Sequence, residues 1–149
     1  LKNDCIARFH CTYEDGTVEA VSYDSHGQEL GRCSLRTASP ETQLRAAAEE
    51  KSTAPGRLCH IRLQYTDENG TIKPLERGIL RVKVEGGRLL GLGSACPYNV
   101  IGYCGTETDT YYGEALAVVQ AGEGRELTLT VTDGRYTGNV TIPVICGGG

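Results

Sequence analysis

An all-β sandwich is the fold class this chain predicts, and three observations predict it. Apolar residues recur at every second position in several separate runs, the period of strands with one buried face. Turn-forming pairs stand between or beside those runs: Asp15-Gly16, His26-Gly27, Asn69-Gly70, Gly86-Gly87 and Asp133-Gly134. Only one segment has a helical composition, so the alternating strand and helix units of an α/β fold are missing.

The elements follow in order. Cys5, Ala7, Phe9, Cys11 and Tyr13 alternate with polar or longer neighbours, and two short turns follow before Leu35. Residues 1–38 therefore read as a three-stranded β-meander. Glu41 to Lys51 is rich in strong helix formers, with Ser39 placed to cap a helix and Pro40 to open it. Leu44, Ala46 and Ala48 also alternate, so helix and strand both stand, and the sandwich favours the strand. Further strands are expected at Ile61-Leu63-Tyr65, Leu80-Val82-Val84, Leu127-Leu129-Val131 and Val140-Ile142-Val144. Gly91 to Thr110, with several glycines, reads as one long connection. The second domain spans 39–146, and 147–149 reads as a flexible tail.

With 149 residues the chain can bury a core without staples. Its net charge of −4 argues against nucleic acid or an anionic membrane surface as partner. No apolar run reaches the length of a membrane span. The first residues, Leu1-Lys2-Asn3-Asp4, have no signal-peptide pattern and no initiator Met, so the sequence reads as part of a longer protein. Seven cysteines, at 5, 11, 33, 59, 96, 104 and 146, include no Cys-x-x-Cys pair. Most read as small buried thiols of a reducing compartment, with one or two disulfides as the alternative.

No catalytic, cofactor or metal constellation emerges. The three histidines, His10, His26 and His60, lack metal-ligand spacing. Gly-x-Ser-x-Gly is absent around Ser94. The glycines from Gly86 to Gly93 lack the Gly-Lys-Ser/Thr ending of a phosphate loop. Asp67-Glu68-Asn69-Gly70 begins like a calcium loop, but the ligand pattern fails after Gly70, so a turn is expected. Glu107, Asp109 and Glu114 cluster in sequence, as solvated loop acids do. The sharper candidates are Tyr98, Tyr103, Tyr111 and Tyr112. Sugars offer apolar faces to aromatic rings, and a phenol hydroxyl adds a hydrogen bond. The alternative is that these rings only cover the end of a sandwich.

Several strings together resemble the C-terminal region of bacterial β-galactosidase-type members of glycoside hydrolase family 2. Tyr13-Glu14-Asp15-Gly16-Thr17-Val18-Glu19-Ala20-Val21-Ser22-Tyr23-Asp24, then Gly27-Gln28-Glu29-Leu30 and Leu35-Arg36-Thr37-Ala38, are similar to the end of the immunoglobulin-like domain after that family's barrel. Val82 to Ser94 and Tyr111 to Gly122 are similar to the following C-terminal immunoglobulin-like domain. The resemblance implies an immunoglobulin-like sandwich without an active site, because the family's catalytic carboxylates sit on a (β/α)₈ barrel that this chain is too short to contain. It also implies the catalytic barrel and neighbouring β-domains of the same parent chain as partners. A homodimer through exposed strand edges is a further expectation, since an incomplete sheet leaves unpaired edges. A carbohydrate-binding module with a glycan partner, and a generic bacterial immunoglobulin-like adhesion module, are the competing readings.

Overall fold

A computed structural model describes residues 6–145 of the chain. No helix occurs among them. Ten strands do: β1 (Thr17–Tyr23), β2 (Glu29–Arg36), β3 (Gln43–Ala48), β4 (Leu58–Thr66), β5 (Ile79–Glu85), β6 (Gly87–Gly93), β7 (Glu107–Asp109), β8 (Glu114–Ala121), β9 (Glu126–Thr132) and β10 (Thr137–Pro143). The chain divides into two compact units, Leu1–Thr37 and Ala38–Gly149.

The first unit holds the antiparallel pair β1–β2, with Thr17 opposite Arg36. Its turn is closed by Asp24, whose Oδ1 accepts from the backbone N–H of His26 and of Gln28, both at 2.8 Å. The third strand expected from the Cys5–Tyr13 alternation does not form over residues 6–14, and Cys5 lies outside the described residues. Alternation makes a strand only where a neighbour receives one face, and Phe9 there is 85% exposed. The expected meander is thus a two-stranded hairpin. It leaves Val18, Leu30 and Leu35 exposed as well. A lone hairpin is marginal in water, because two strands cannot enclose a core.

The second unit is a sandwich of two four-stranded sheets, ordered β10-β9-β5-β7 and β3-β4-β8-β6. Named strand pairs within them are antiparallel. The alternating residues supply the core: Ile61, Leu63, Ala117 and Val119 from one sheet, Leu80, Leu127, Leu129 and Val131 from the other, each wholly buried. Segment 41–51 resolves as strand β3, with Leu44 and Ala46 buried opposite Tyr65 and Leu63. Burying those two side chains outweighs the helical preference of an Ala-rich run, since propensity differences are only tenths of a kcal/mol per residue.

Three other expectations change. Gly86-Gly87 does not close a hairpin, because β5 and β6 lie in different sheets. It is the corner at which the chain crosses the sandwich. Gly86 has φ +74°, and a Cβ there would stand 2.0 Å from the carbonyl oxygen of Glu126. The long connection from Gly91 shortens to 94–106, because Leu92 is buried in β6 and Thr108 is buried in β7. Of the five cysteines in the described residues, all free, only Cys59 is fully buried; Cys11, Cys33 and Cys104 are exposed and Cys96 is intermediate. Those exposed thiols lie in the hairpin unit and the 94–106 loop, neither of which has a core around it. Cys146 and the tail expected at 147–149 lie outside the described residues.

Two carboxylates tie loops to the sandwich. The Asp133 Oδ1 closes the β9–β10 turn by accepting from the N–H of Arg135 and Tyr136, while its Oδ2 accepts from the Tyr65 hydroxyl at 2.7 Å. Burial, and then that carboxylate, push the Tyr65 phenol well above its ordinary value. Asp67 organises the loop after β4. It accepts from the N–H groups of Asn69, Thr71 and Ser39 at 2.9, 2.8 and 3.0 Å. Burial works to raise its pKa, but these donors outweigh burial and hold the carboxyl at about 2.

Two measurements check this account. Gly86→Ala should lose about 3 kcal/mol in urea unfolding, because backbone cannot yield to the new Cβ. Gly134→Ala, at φ +90° with open space around it, should lose only about 1 kcal/mol; equal losses would contradict the corner geometry. Asp67 binds a proton more readily in the unfolded chain than in the fold, so its stabilising effect is complete above about pH 4 and is lost as pH falls through about 2. Asp67→Asn should therefore be less stable than the parent chain at pH 6, with the gap closing between pH 4 and 2. A gap independent of pH would refute this role.

Candidate functional site

The β4–β8 ladder sends every second residue away from the core, onto the outer face of the β3-β4-β8-β6 sheet. Leu63 stands opposite Ala115 and Ile61 opposite Ala117, facing inward; Arg62 stands opposite Leu116, Gln64 opposite Glu114 and His60 opposite Val118, facing outward. On the far side of β8, Gly93 pairs with Leu116 and Gly91 with Val118. These two glycines put no side chain on the outer face. A shallow floor results, made of Leu116 and Val118 between a charged side chain and a strip of bare backbone.

The Tyr103 ring closes one side of this floor. A Cβ at Gly93 would come 2.2 Å from Tyr103 Cδ1, so the ring lies directly on the glycine. The Tyr103 carbonyl also accepts from the N–H of Leu92 at 2.9 Å. The glycine-rich stretch that resembles a phosphate loop is therefore a strand cleared for an aromatic ring. Tyr111 and Tyr112 form another wall, with ring centroids 4.5 Å apart and planes at 69°. Edge-to-face pairs of this kind are favourable by about 0.5–1.5 kcal/mol. Tyr112 has φ +50° and is the only non-glycine residue with positive φ among the described residues. It and Gly113, at φ +78°, are the two central residues of the tight turn closed by the Tyr111–Glu114 pair, a turn in which both central residues take positive φ. The Tyr112 hydroxyl beside it pushes the Tyr111 phenol above its ordinary value.

Together these residues line a cavity of about 730 Å³, with Glu49, Arg62, Ser94 and Glu114 as its polar members. Arg62 donates from Nε and NH2 to Glu49 Oε1 at 2.9 and 2.8 Å. Glu114 accepts from Gln64 at 2.7 Å. The buried Ser94 hydroxyl donates to Asp109 at 3.1 Å. The arrangement can hold a ligand by stacking and hydrogen bonding.

Three of the four tyrosines singled out in the sequence, Tyr103, Tyr111 and Tyr112, meet in this cavity. Tyr98 does not line it and is 86% exposed in the 94–106 loop. Glu107, Asp109 and Glu114 take separate partners, Arg81, Ser94 and Gln64. His60 bonds Glu50 at 3.0 Å beside a second cavity of about 710 Å³, near Arg57 and Leu58. No group of three His, Cys, Asp or Glu among the described residues is placed to hold a metal. Sequence reasoning missed Arg62, Glu49, Leu116 and Val118. A signal existed for two of them: Ala115 to Val119 is apolar at every position, so β8 puts apolar side chains on its outer face as well as its inner one.

The sandwich has known relatives. The model of glycoside hydrolase family 2 C-terminal domain 5 matches residues 43–141. A solved glycosyl hydrolase family 2 member from Bacteroides cellulosilyticus DSM 14838 superposes with a TM-score of 0.78 at 27% identity, covering 87% of this chain and 18% of that one. A β-glycosidase from Bacteroides vulgatus gives 0.78 at 24% identity over 89% of this chain and 18% of that chain. A family 2 β-glucuronidase gives 0.74 at 16% identity over 91% and 15%. These last two likenesses show the fold alone. The chain spans less than a fifth of each of these solved proteins. No curated protein matches the sequence.

The placement of Tyr103 can be checked directly. Gly93→Ala should displace the ring and shift its aromatic NMR signals, while stability changes by no more than about 1 kcal/mol, because the side chain rather than the backbone gives way. An unmoved Tyr103 signal would contradict the contact.

Proposed function

We propose the role of this chain in a parent enzyme from its family: it belongs to glycoside hydrolase family 2 C-terminal domain 5 and is an accessory domain rather than a catalytic one. The observation that carries this is the match of the sandwich, residues 43–141, to a C-terminal domain of a hydrolase family. The parent would hydrolyse O-glycosyl bonds on a barrel outside this sequence, while this domain gives structural support or an oligomer contact. Fold alone does not assign chemistry; here the family supplies it.

Two finer parts belong to the same proposal. The parent is β-galactosidase-like, on the strength of the strings from Tyr13 to Asp24 and Val82 to Ser94. Residues 1–38 are the end of a preceding immunoglobulin-like domain. The exposed Val18, Leu30 and Leu35 of the β1–β2 hairpin support that reading, since further strands of a complete sheet would cover such side chains. Supplying those strands would bury the same side chains; a second copy of the chain is the alternative cover, giving a homodimer.

The test is enzymatic and genetic together. The reading frame upstream should encode a family 2 barrel, and the parent should cleave nitrophenyl β-galactoside faster than nitrophenyl β-glucuronide. The 149-residue chain should release no nitrophenol above a tag-only control. Turnover by this chain alone would sink the accessory role, and preference for the glucuronide would sink only the β-galactosidase assignment.

A further inference from the structure

We infer that the outer-face cavity of the β3-β4-β8-β6 sheet is a binding site for a neutral saccharide. This goes beyond the accessory role and does not depend on it. A sugar ring has an apolar C–H face and a rim of hydroxyls. Its site therefore needs aromatic surface and planar hydrogen-bonding groups close together. The cavity has both: Tyr103, Tyr111 and Tyr112 supply the surface, while Arg62, Glu49 and Glu114 supply the rim.

The arrangement narrows the ligand further. Tyr111 and Tyr112 stand at 69° to one another, which makes a cup rather than a flat platform and suits one or two sugar units rather than the face of a long packed chain. Arg62 spends both of its contacts on Oε1 of Glu49. Among the described residues, Glu49 Oε2 and Arg62 NH1 take no hydrogen bond, so both remain available to a ligand's hydroxyls. The charged members of the lining are two glutamates and one arginine, with the arginine paired to Glu49. That sign balance repels uronic acids and sulfated sugars and leaves neutral ones. Leu116 and Val118 give the floor its apolar patch, and the cavity falls in the size range of small-molecule sites, about 300–1,000 Å³.

The test is a ¹H–¹⁵N NMR titration of the full 149-residue chain. Neutral probes are β-1,4-galactotetraose, cellotetraose and β-1,4-mannotetraose; tetragalacturonic acid is the acidic one. At about 5 mM, at least one neutral probe should shift the amides of Gly93, Tyr103, Tyr112 and Leu116, and the acidic probe should not. Tyr112→Ala and Arg62→Ala should each weaken that binding about tenfold while keeping a dispersed spectrum. Tyr98→Ala, outside the lining, should bind as the parent chain does. The inference is overturned if no neutral probe moves those amides. Equal shifts with tetragalacturonic acid, or undiminished binding by both well-folded variants, would overturn it too.

Discussion

The register of β4 against β8 is the constraint on which the rest of the second unit depends. With Leu63 opposite Ala115 and Ile61 opposite Ala117, one face of the sheet becomes core. The same pairing puts Arg62 beside Leu116 and Gln64 beside Glu114 on the other face. A slip of β4 by one residue would turn that strand over, burying Arg62 and Gln64 and exposing Ile61 and Leu63. The apolar core therefore enforces a geometry on the polar face that the polar face could not enforce itself. Surface ion pairs such as Arg62–Glu49 contribute too little to hold a register.

The edges of the sandwich are managed by loops with fixed chemistry. Asp67 and Asp133 each gather backbone N–H groups that the turns would otherwise leave unpaired. Asp133 also reaches Tyr65, whose strand lies in the opposite sheet. Loop closure and inter-sheet contact are thus coupled through the one carboxylate of Asp133. Gly86 makes a comparable link by backbone alone, since only a residue without Cβ can bring the corner so close to Glu126.

The two units differ in physical state for one reason. The sandwich has two sheets to enclose its apolar faces, and the described hairpin has one pair of strands. Valine and leucine side chains are buried in β9, at Leu127, Leu129 and Val131, and exposed in β1 and β2, at Val18, Leu30 and Leu35. Strand propensity is the same in both settings; the number of neighbouring strands is not.

Much of the fold was legible in the sequence. Period two located β4, β5, β9 and β10 with their inward residues, because a half-buried strand writes its burial into alternate positions. The resemblance of ordered strings located the family. Tyr103, Tyr111 and Tyr112 were legible as candidates because aromatic rings are conspicuous by type. Their convergence was not, because it depends on a loop returning from β6 to β7 and on two glycines vacating the face beneath it. Arg62, Glu49 and Leu116 were hidden for the same reason: they come from separate strands or their ends and meet only across the ladder. Local pattern was enough to place β4, β5, β9 and β10 and the apolar face of each. Only the tertiary structure decided that β3 is a strand rather than a helix, that Gly86 turns a corner between sheets, and that Tyr103, Tyr111 and Tyr112 meet around a cavity on the outer face. Those outcomes are set by contacts between residues far apart in the chain, and no local pattern encodes them.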